Sequence, residues 1–310
     1  SLSASGSGVI QLAADIDSDG TQTYTGASKL MADVALNADD ADITFAGDMT
    51  NAAGGIETLS LTSNGQVTQS GTLDVDELAL FGTGDFIFDQ AGNQITKLSA
   101  GTPESQETTG GTTVTLPAQR IGKLTVNNTG VLEVGTTASG SADEQSGIVA
   151  AGAVNLQTDG AALTVSQVID TTDDTTGAFA LTTSNAGGVI ELDADITTVG
   201  DQSYSGDTKL LNNVTLTATG AGTAAGDIDF AGGDMSNAAG TERLTLVSDG
   251  TVTATGAMVI DELALQGAAD YSFANADNQI SLLAAGTSSQ RSGDLSVANK
   301  ATALEVGHTD

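Results

Sequence analysis

The segment Asp15-Ile16-Asp17-Ser18-Asp19-Gly20 reads D-x-D-x-D-G. That is the opening of a calcium loop, in which alternate carboxylates surround a hard cation and Gly allows the sharp turn. Asp15, Asp17 and Asp19 are therefore the candidate metal ligands, and calcium is the one candidate cofactor. The closing bidentate Glu of such a loop belongs at position 26, which is Gly26. The competing reading is a solvated Asp-rich turn. Asp39-Asp40-Asp42 and Asp170-Asp173-Asp174 are read as solvated surface. Adjacent carboxylates occur at Asp76-Glu77 and Asp261-Glu262. Paired carboxylates can perform acid and base chemistry on sugars. On an alternating strand, however, neighbours point to opposite faces, so these pairs are expected to serve a strand start or turn.

The remaining inventory for catalysis is thin. The one His is His308, and Cys is absent, which excludes disulfides and thiolate metal sites. No G-x-S-x-G elbow occurs, and Gly122-Lys123-Leu124 lacks the Ser or Thr of a phosphate loop. The chain is expected not to be an enzyme. Forty acids against eight bases give a net charge of −32. Nucleic acid and anionic membranes are poor partners for such a chain, because phosphate binding needs clustered Lys and Arg. No apolar run reaches the ~18 residues that can span a bilayer, and Ser1 is not followed by a basic-then-apolar leader.

The scaffold that must position these residues is written twice. Gly8-Val9-Ile10-Gln11-Leu12 returns as Gly188-Val189-Ile190-Glu191-Leu192, and Gln22-Thr23-Tyr24-Thr25-Gly26 as Gln202-Ser203-Tyr204-Ser205-Gly206. Asn51-Ala52-Ala53-Gly54 matches Asn237-Ala238-Ala239-Gly240, and Asp76-Glu77-Leu78-Ala79-Leu80 matches Asp261-Glu262-Leu263-Ala264-Leu265. Gly92-Asn93-Gln94-Ile95 matches Asp277-Asn278-Gln279-Ile280, and Leu132-Glu133-Val134-Gly135 matches Leu304-Glu305-Val306-Gly307. A long internal repeat marks a chain extended by copying. It also supplies a control, since a feature kept in both copies belongs to the architecture. The D-x-D-x-D-G motif fails that control: the second copy has Asp195, Thr197 and Val199. Only Lys29 with Lys209 and Arg120 with Arg291 pair among the bases, too few for an anion cradle.

The copies organise the chain as residues 1–135, a first copy carrying an insertion at 103–118, then 136–187 as intervening coils, then 188–310 as a truncated second copy. The insertion holds Pro103 and Pro117, the only prolines, between the matching residues Thr102 and Gln119. Proline cannot donate to a sheet ladder, so 103–118 is expected to leave the scaffold as a loop or short hairpin. Val114-Thr115-Leu116 is its best strand candidate. A loop on a rigid scaffold is a natural partner-binding surface, and a neutral insertion is the alternative.

Aromatics make up 3% of the chain and Gly contributes 39 residues, so a wide core cannot be filled to native density. A core one or two side chains across can. Leu59 and Leu61, Leu73 and Val75, Leu78 and Leu80, Phe86 and Phe88, Val214 and Leu216, and Leu244 and Leu246 alternate at period two. Asn64-Gly65, Asp249-Gly250, Gly54-Gly55 and Gly232-Gly233 punctuate the runs as turns. The expected fold is all-β, a right-handed parallel β-helix forming an elongated rod. With roughly 20 residues per coil it makes ~15 coils, stacked at ~4.8 Å. Tyr24 with Tyr204, Phe45 with Phe230 and Phe88 with Phe273 are expected to stack in that core. An exposed ladder for sugar rings is the alternative.

The run from Gly188 through Asp193, Asp195, Thr198 and Tyr204 to Gly206 resembles the repeats of large secreted filamentous-haemagglutinin-like exoproteins, and Gly8 to Gly26 is a looser match. The resemblance implies export from a Gram-negative bacterium through a partner outer-membrane transporter. It implies an extracellular or cell-surface location, and work as an adhesin or biofilm-matrix component. The chain is then expected to be an interior, structural and adhesive stalk segment that meets a host or matrix glycan or protein. A filament or surface-layer subunit that self-associates end to end is the second expectation, and a polysaccharide-active β-helix enzyme the third.

Overall fold

The computed structural model describes residues 1–52, 56–109, 112–140, 144–172, 177–184, 187–220, 225–287, 292–300 and 303–307. Gly54, Gly55, Asp173, Asp174, Gln290, Arg291 and His308 lie outside the described residues. Those described form strands joined by turns, with no helix. They fall into two compact units, Ser1–Ala151 and Gly152–Asp310, whose boundary lies inside the segment 136–187.

In the first unit each coil lays down three short strands, one on each of three ladders. Gln22–Tyr24, Ser28–Leu30 and Val34–Asn37 are followed one coil later by Ile43–Phe45, Met49–Asn51 and Thr58–Thr62. All three pairings are parallel. The fold is a parallel β-solenoid. Along the first ladder Leu2 pairs with Gln22, Gln22 with Ile43, Ile43 with Val67, Val67 with Phe86, and Phe86 with Leu124. The steps are 20, 21, 24, 19 and 38 residues, the last swollen by the insertion. In the second unit the same ladder runs Val154, Phe179, Gln202, Ile228, Val252, Tyr271, Leu295. Its steps are 19 to 26 residues. Coils of this length give about 12 turns rather than the ~15 expected from a 20-residue repeat.

The core follows the alternation. Leu59, Leu61, Leu73, Leu78, Leu80, Phe86, Phe88, Leu216, Leu244 and Leu246 are wholly buried, with Val75 and Val214 nearly so. Each such side chain removed from water stabilises the fold by about 1.5–3 kcal/mol. The paired aromatics are inside as well. Tyr24 stacks on Phe45 at 5.4 Å and Tyr204 on Phe230 at 5.0 Å, with ring planes within 18°. These rings are therefore packing elements and cannot act as a sugar platform. Burial pushes the Tyr24 phenol up to about 12 and the Tyr204 phenol well above its ordinary value. Each hydroxyl donates to a buried glutamine at 2.7 Å, Tyr24 to Gln22 and Tyr204 to Gln202. The glutamine amides in turn donate to the carbonyls of Asn37 and Thr217.

Corners are closed by glycine and aspartate. A Cβ on Gly71 would stand 2.3 Å from the carbonyl carbon of Gly47, one coil below, so the two turns touch backbone to backbone. Where the ladder is interrupted at a turn, a side-chain acceptor takes the N–H of the next coil. Asp15 receives Ala35 N–H at 2.8 Å, Asp33 receives Thr58, Asp42 receives Gln66, Asp48 receives Thr72 and Asp85 receives Lys123. The second unit repeats all five, with Asp195 on Thr215, Asn213 on Arg243, Asp227 on Thr251, Asp234 on Ala257 and Asp270 on Asp294. Nine aspartates and one asparagine thus serve as staples between coils.

The insertion leaves the solenoid. Ser105–Thr109 and Thr112–Leu116 form an antiparallel hairpin, with Ser105 opposite Leu116 and Thr109 opposite Thr112. At its base Thr102 and Gln119 exchange two backbone hydrogen bonds of 2.7 and 2.8 Å. The scaffold ends therefore lie side by side, as the repeat alignment requires. Deleting Pro103 through Ala118 is expected to shift the urea midpoint by less than ~0.5 kcal/mol equivalent, the usual range for changes away from the core. Loss of cooperative unfolding in that variant would show the segment to be part of a coil.

A second excursion has no counterpart in the expected plain coils of 136–187. Thr136–Thr137 and Gln145–Ser146 pair antiparallel. Gln145 is 2% exposed and reaches into the core. Its amide donates to the carbonyls of Leu80 and Gly101 at 3.0 and 2.6 Å and accepts from Leu80 N–H and Ser99 Oγ at 3.2 and 2.9 Å. One side chain replaces the hydrogen bonds of a missing strand.

Candidate functional site

Asp15, Asp17 and Asp19 do not form a calcium loop. All three are exposed, and Ile16–Asp17 is a strand. Extended chain advances about 3.3 Å per residue, which spreads alternate carboxylates along the coil instead of wrapping them around one ion. Asp15 is the staple to Ala35 described above, which is why only this carboxylate survives in the second copy, as Asp195. Asp17 accepts from the Asn37 amide at 3.0 Å. Among the described residues no group of three or more His, Cys, Asp or Glu could hold a metal ion. In the other acidic clusters Asp40 accepts from the Asn64 amide at 2.9 Å and Asp170 from Thr172 N–H at 2.8 Å.

Asp76 and Glu77 correct the expectation of opposite faces. They sit in the middle of the nine-residue strand Leu73–Phe81, and both are half-exposed between inward Val75 and inward Leu78. The strand turns a corner there, so the period-two alternation slips by one residue. Asp261 and Glu262 show the same burial pattern within Met258–Gln266. The two carboxylates of each pair still do different things. Asp76 accepts from the Asn51 amide. Glu77 accepts from Ala138 N–H at 2.7 Å and Thr58 Oγ1 at 3.2 Å, with the Lys97 ammonium 3.7 Å away. Ala138 has a φ of 51°, in the left-handed region that a non-glycine residue rarely adopts, so Glu77 also holds an unfavourable turn of the second excursion. Glu262 lies opposite Arg243 in the ladder.

Between corner and ladder the surface forms shallow clefts. One of about 180 Å³ is lined by Asp15, Asp33, Thr58 and Ser60, among others. Another, of about 200 Å³, is lined by Asn237, Gly240, Val259, Ile260, Asp261, Gln279 and Ser281. Here Asp261 lies between the ladder pairs Ile260–Ile280 and Glu262–Leu282, beside Ser281. The first copy brings Asp76 beside Thr96 in the same way, between Val75–Ile95 and Glu77–Lys97. Sequence reasoning quoted Asn51 with Asn237 and Gln94 with Gln279 as repeat markers. It missed that each Asn, Asp and Gln gathers at one corner, because that needs the register between coils.

The loop flanking this cleft is held by Glu242, which is 6% exposed. Burial opposes its ionised form. The N–H groups of Ala239, Glu242 itself, Thr241 and Gly240 outweigh that and hold the carboxyl below its ordinary value. A depressed value contributes stability that is present above the unfolded value of ~4.3 and is lost as pH falls through the folded one. Glu242→Gln is expected to lower stability at neutral pH and to flatten its decline below about pH 4. Urea midpoints across that range check this, and a parallel decline in both proteins would contradict it.

Comparison with models of protein families, with curated proteins and with solved structures gives no match to this chain. Its function must be argued from its own geometry.

Proposed function

We propose that this chain is a structural and adhesive segment of a large secreted bacterial surface or biofilm-matrix protein, working without catalysis. The observation that carries the reading is where the copies spend their polar side chains. Five corner acceptors, Asp15, Asp33, Asp42, Asp48 and Asp85, staple coil to coil, and all five recur in the second unit. The glutamine–tyrosine pairs are used in the same way. Copying that preserves construction and little else suits a protein whose task is to extend and present a repetitive outer face. A net charge of −32 favours dispersion of such segments over collapse. The resemblance of Gly188–Gly206 to filamentous-haemagglutinin-like repeats points the same way.

The test is adhesion. Beads coated with the purified chain are expected to be retained on films of extracellular polysaccharide or matrix protein, and released by excess soluble chain. Retention no greater than that of albumin-coated beads on every film would overturn the adhesive reading.

A further inference from the structure

The cleft of about 180 Å³ in the first unit surrounds Ala35. Ala35 faces outward between inward Val34 and Leu36. Asp15 stands beside it one coil earlier, where its Oδ1 accepts from Ala35 N–H. Ser60 stands beside it one coil later in the ladder. Asp33 lies two residues before Ala35, and its Oδ1 accepts from Thr58 N–H at 2.8 Å. Leu59 and Leu61 are wholly buried, so Thr58 and Ser60 on the same strand point outward. Four polar side chains thus ring one alanine, and all four line the cleft together with Ala138 of the second excursion. Glu77 fixes that wall, since it accepts from both Ala138 N–H and Thr58 Oγ1.

Two observations set this cleft apart from the construction of the coils. Ser60 is 7% exposed, and its hydroxyl has no hydrogen-bond partner among the described residues. A buried hydroxyl that faces a cleft unpaired calls for a partner from outside the chain. The second copy then shows what the fold does not need. Asn213 stands in place of Asp33 and still accepts from Arg243 N–H at 2.8 Å, so this staple requires an acceptor and not a charge. Thr215 stands in place of Ala35 and Arg243 in place of Thr58. The larger Thr fills the floor, and the Arg offsets the acid of the rim. The open floor and the second carboxylate of the first unit are therefore surplus to the architecture.

We propose that this cleft binds a primary alkylammonium group, carried by a lysine side chain or by a free amine. No Lys, Arg or aromatic residue lines it among the described residues, which disfavours an anion and a stacked sugar ring. Its two carboxylates fall short of a metal-holding group. A cavity of about 150 Å³ accepts a molecule the size of benzene, so the space suits an organic group better than a bare ion. Asp15 and Asp33 each use one oxygen as a staple, which leaves one oxygen apiece. A guanidinium fork favours both oxygens of a single carboxylate. An ammonium is a point charge with three donors aimed in different directions, and Asp15, Asp33 and Ser60 supply three separate acceptors. The methyl groups of Ala35 and Ala138 offer apolar surface to the alkyl stem. This inference stands apart from the adhesive reading and can fail without it.

The test is to follow backbone amide NMR shifts of the full chain as n-butylammonium is added, at physiological ionic strength to screen diffuse attraction to the acidic surface. Saturable shifts are expected at the amides of Ala35, Thr58 and Ser60. Asp33→Asn should weaken binding by about tenfold or more, the loss of one charge-assisted hydrogen bond. Its urea midpoint should stay unchanged, because asparagine serves as this staple in the second unit. Ala35→Thr should abolish binding by filling the floor, and Asp42→Asn, at a staple outside the cleft, should leave it intact. Tighter binding of a blocked lysine than of putrescine would assign the ammonium to a partner protein, and the reverse order to a free amine. The proposal is overturned if n-butylammonium gives no saturable shifts or if n-butylguanidinium binds equally well. It is overturned as well if Asp33→Asn or Ala35→Thr binds like the unsubstituted chain, or if Asp42→Asn loses as much as Asp33→Asn.

Discussion

Leu78→Asp is expected to abolish cooperative folding of the first unit or to cost several kcal/mol, the penalty for burying a carboxylate without a partner. Leu78 is wholly buried and lies between Leu59 and Leu98 in the ladder. Both neighbours are wholly buried and present apolar surface to the new charge. In a stacked architecture each coil contacts only its neighbours, so damage should spread along the stack from this point. Hydrogen exchange should show protection falling first in Thr58–Thr62 and Gln94–Ala100, the strands on either side. Asp74→Asn, at an exposed position of the same strand, should change stability by no more than ~0.5 kcal/mol. Equal losses in the two variants would mean that the inward and outward faces have been misassigned.

Gln145→Ala should destabilise the first unit by about 3 kcal/mol or more, since each buried group left unsatisfied costs about 1–3 kcal/mol. The substitution strands the Leu80 N–H and the Gly101 carbonyl, and removes a partner of Ser99. Gln145→Glu should be no better, because an ionised carboxylate cannot donate to the two carbonyls that Gln145 serves. Gln66→Ala, at an exposed position, should be nearly neutral. Urea unfolding of the three variants gives the comparison. A Gln145→Ala protein as stable as Gln66→Ala would mean that the excursion is not sewn into the core.

Sequence alone was sufficient where structure follows from local pattern. Leu59 and Leu61 alternate and are buried, Tyr24 and Phe45 recur and stack, and a segment with two prolines missing from one copy leaves the solenoid at Thr102 and Gln119. It failed at corners. Asp76 and Glu77 share the outer surface because the strand bends between Val75 and Leu78, and a bend has no period to detect. It failed again where a contact spans the chain: Gln145 meets Leu80 across 65 residues, and nothing near Gln145 announces a core position. The carboxylates of Asp15, Asp17 and Asp19 looked like a loop because their spacing was read without the extended backbone that separates them. The retained staples, Asp42 with Asp227 and Asp85 with Asp270, could have been found by applying the copy control to every acid.

The claim that this solenoid binds without chemistry meets its most direct test in a time course. The purified chain is incubated with a panel of extracellular polysaccharides, with polymer retention, polymer length and newly formed reducing ends followed together. The account predicts saturable retention of at least one polymer, with its length unchanged and reducing ends level with a heat-denatured control. Reducing ends that rise with time and scale with protein concentration would contradict it, and would establish the outer face as a catalytic one.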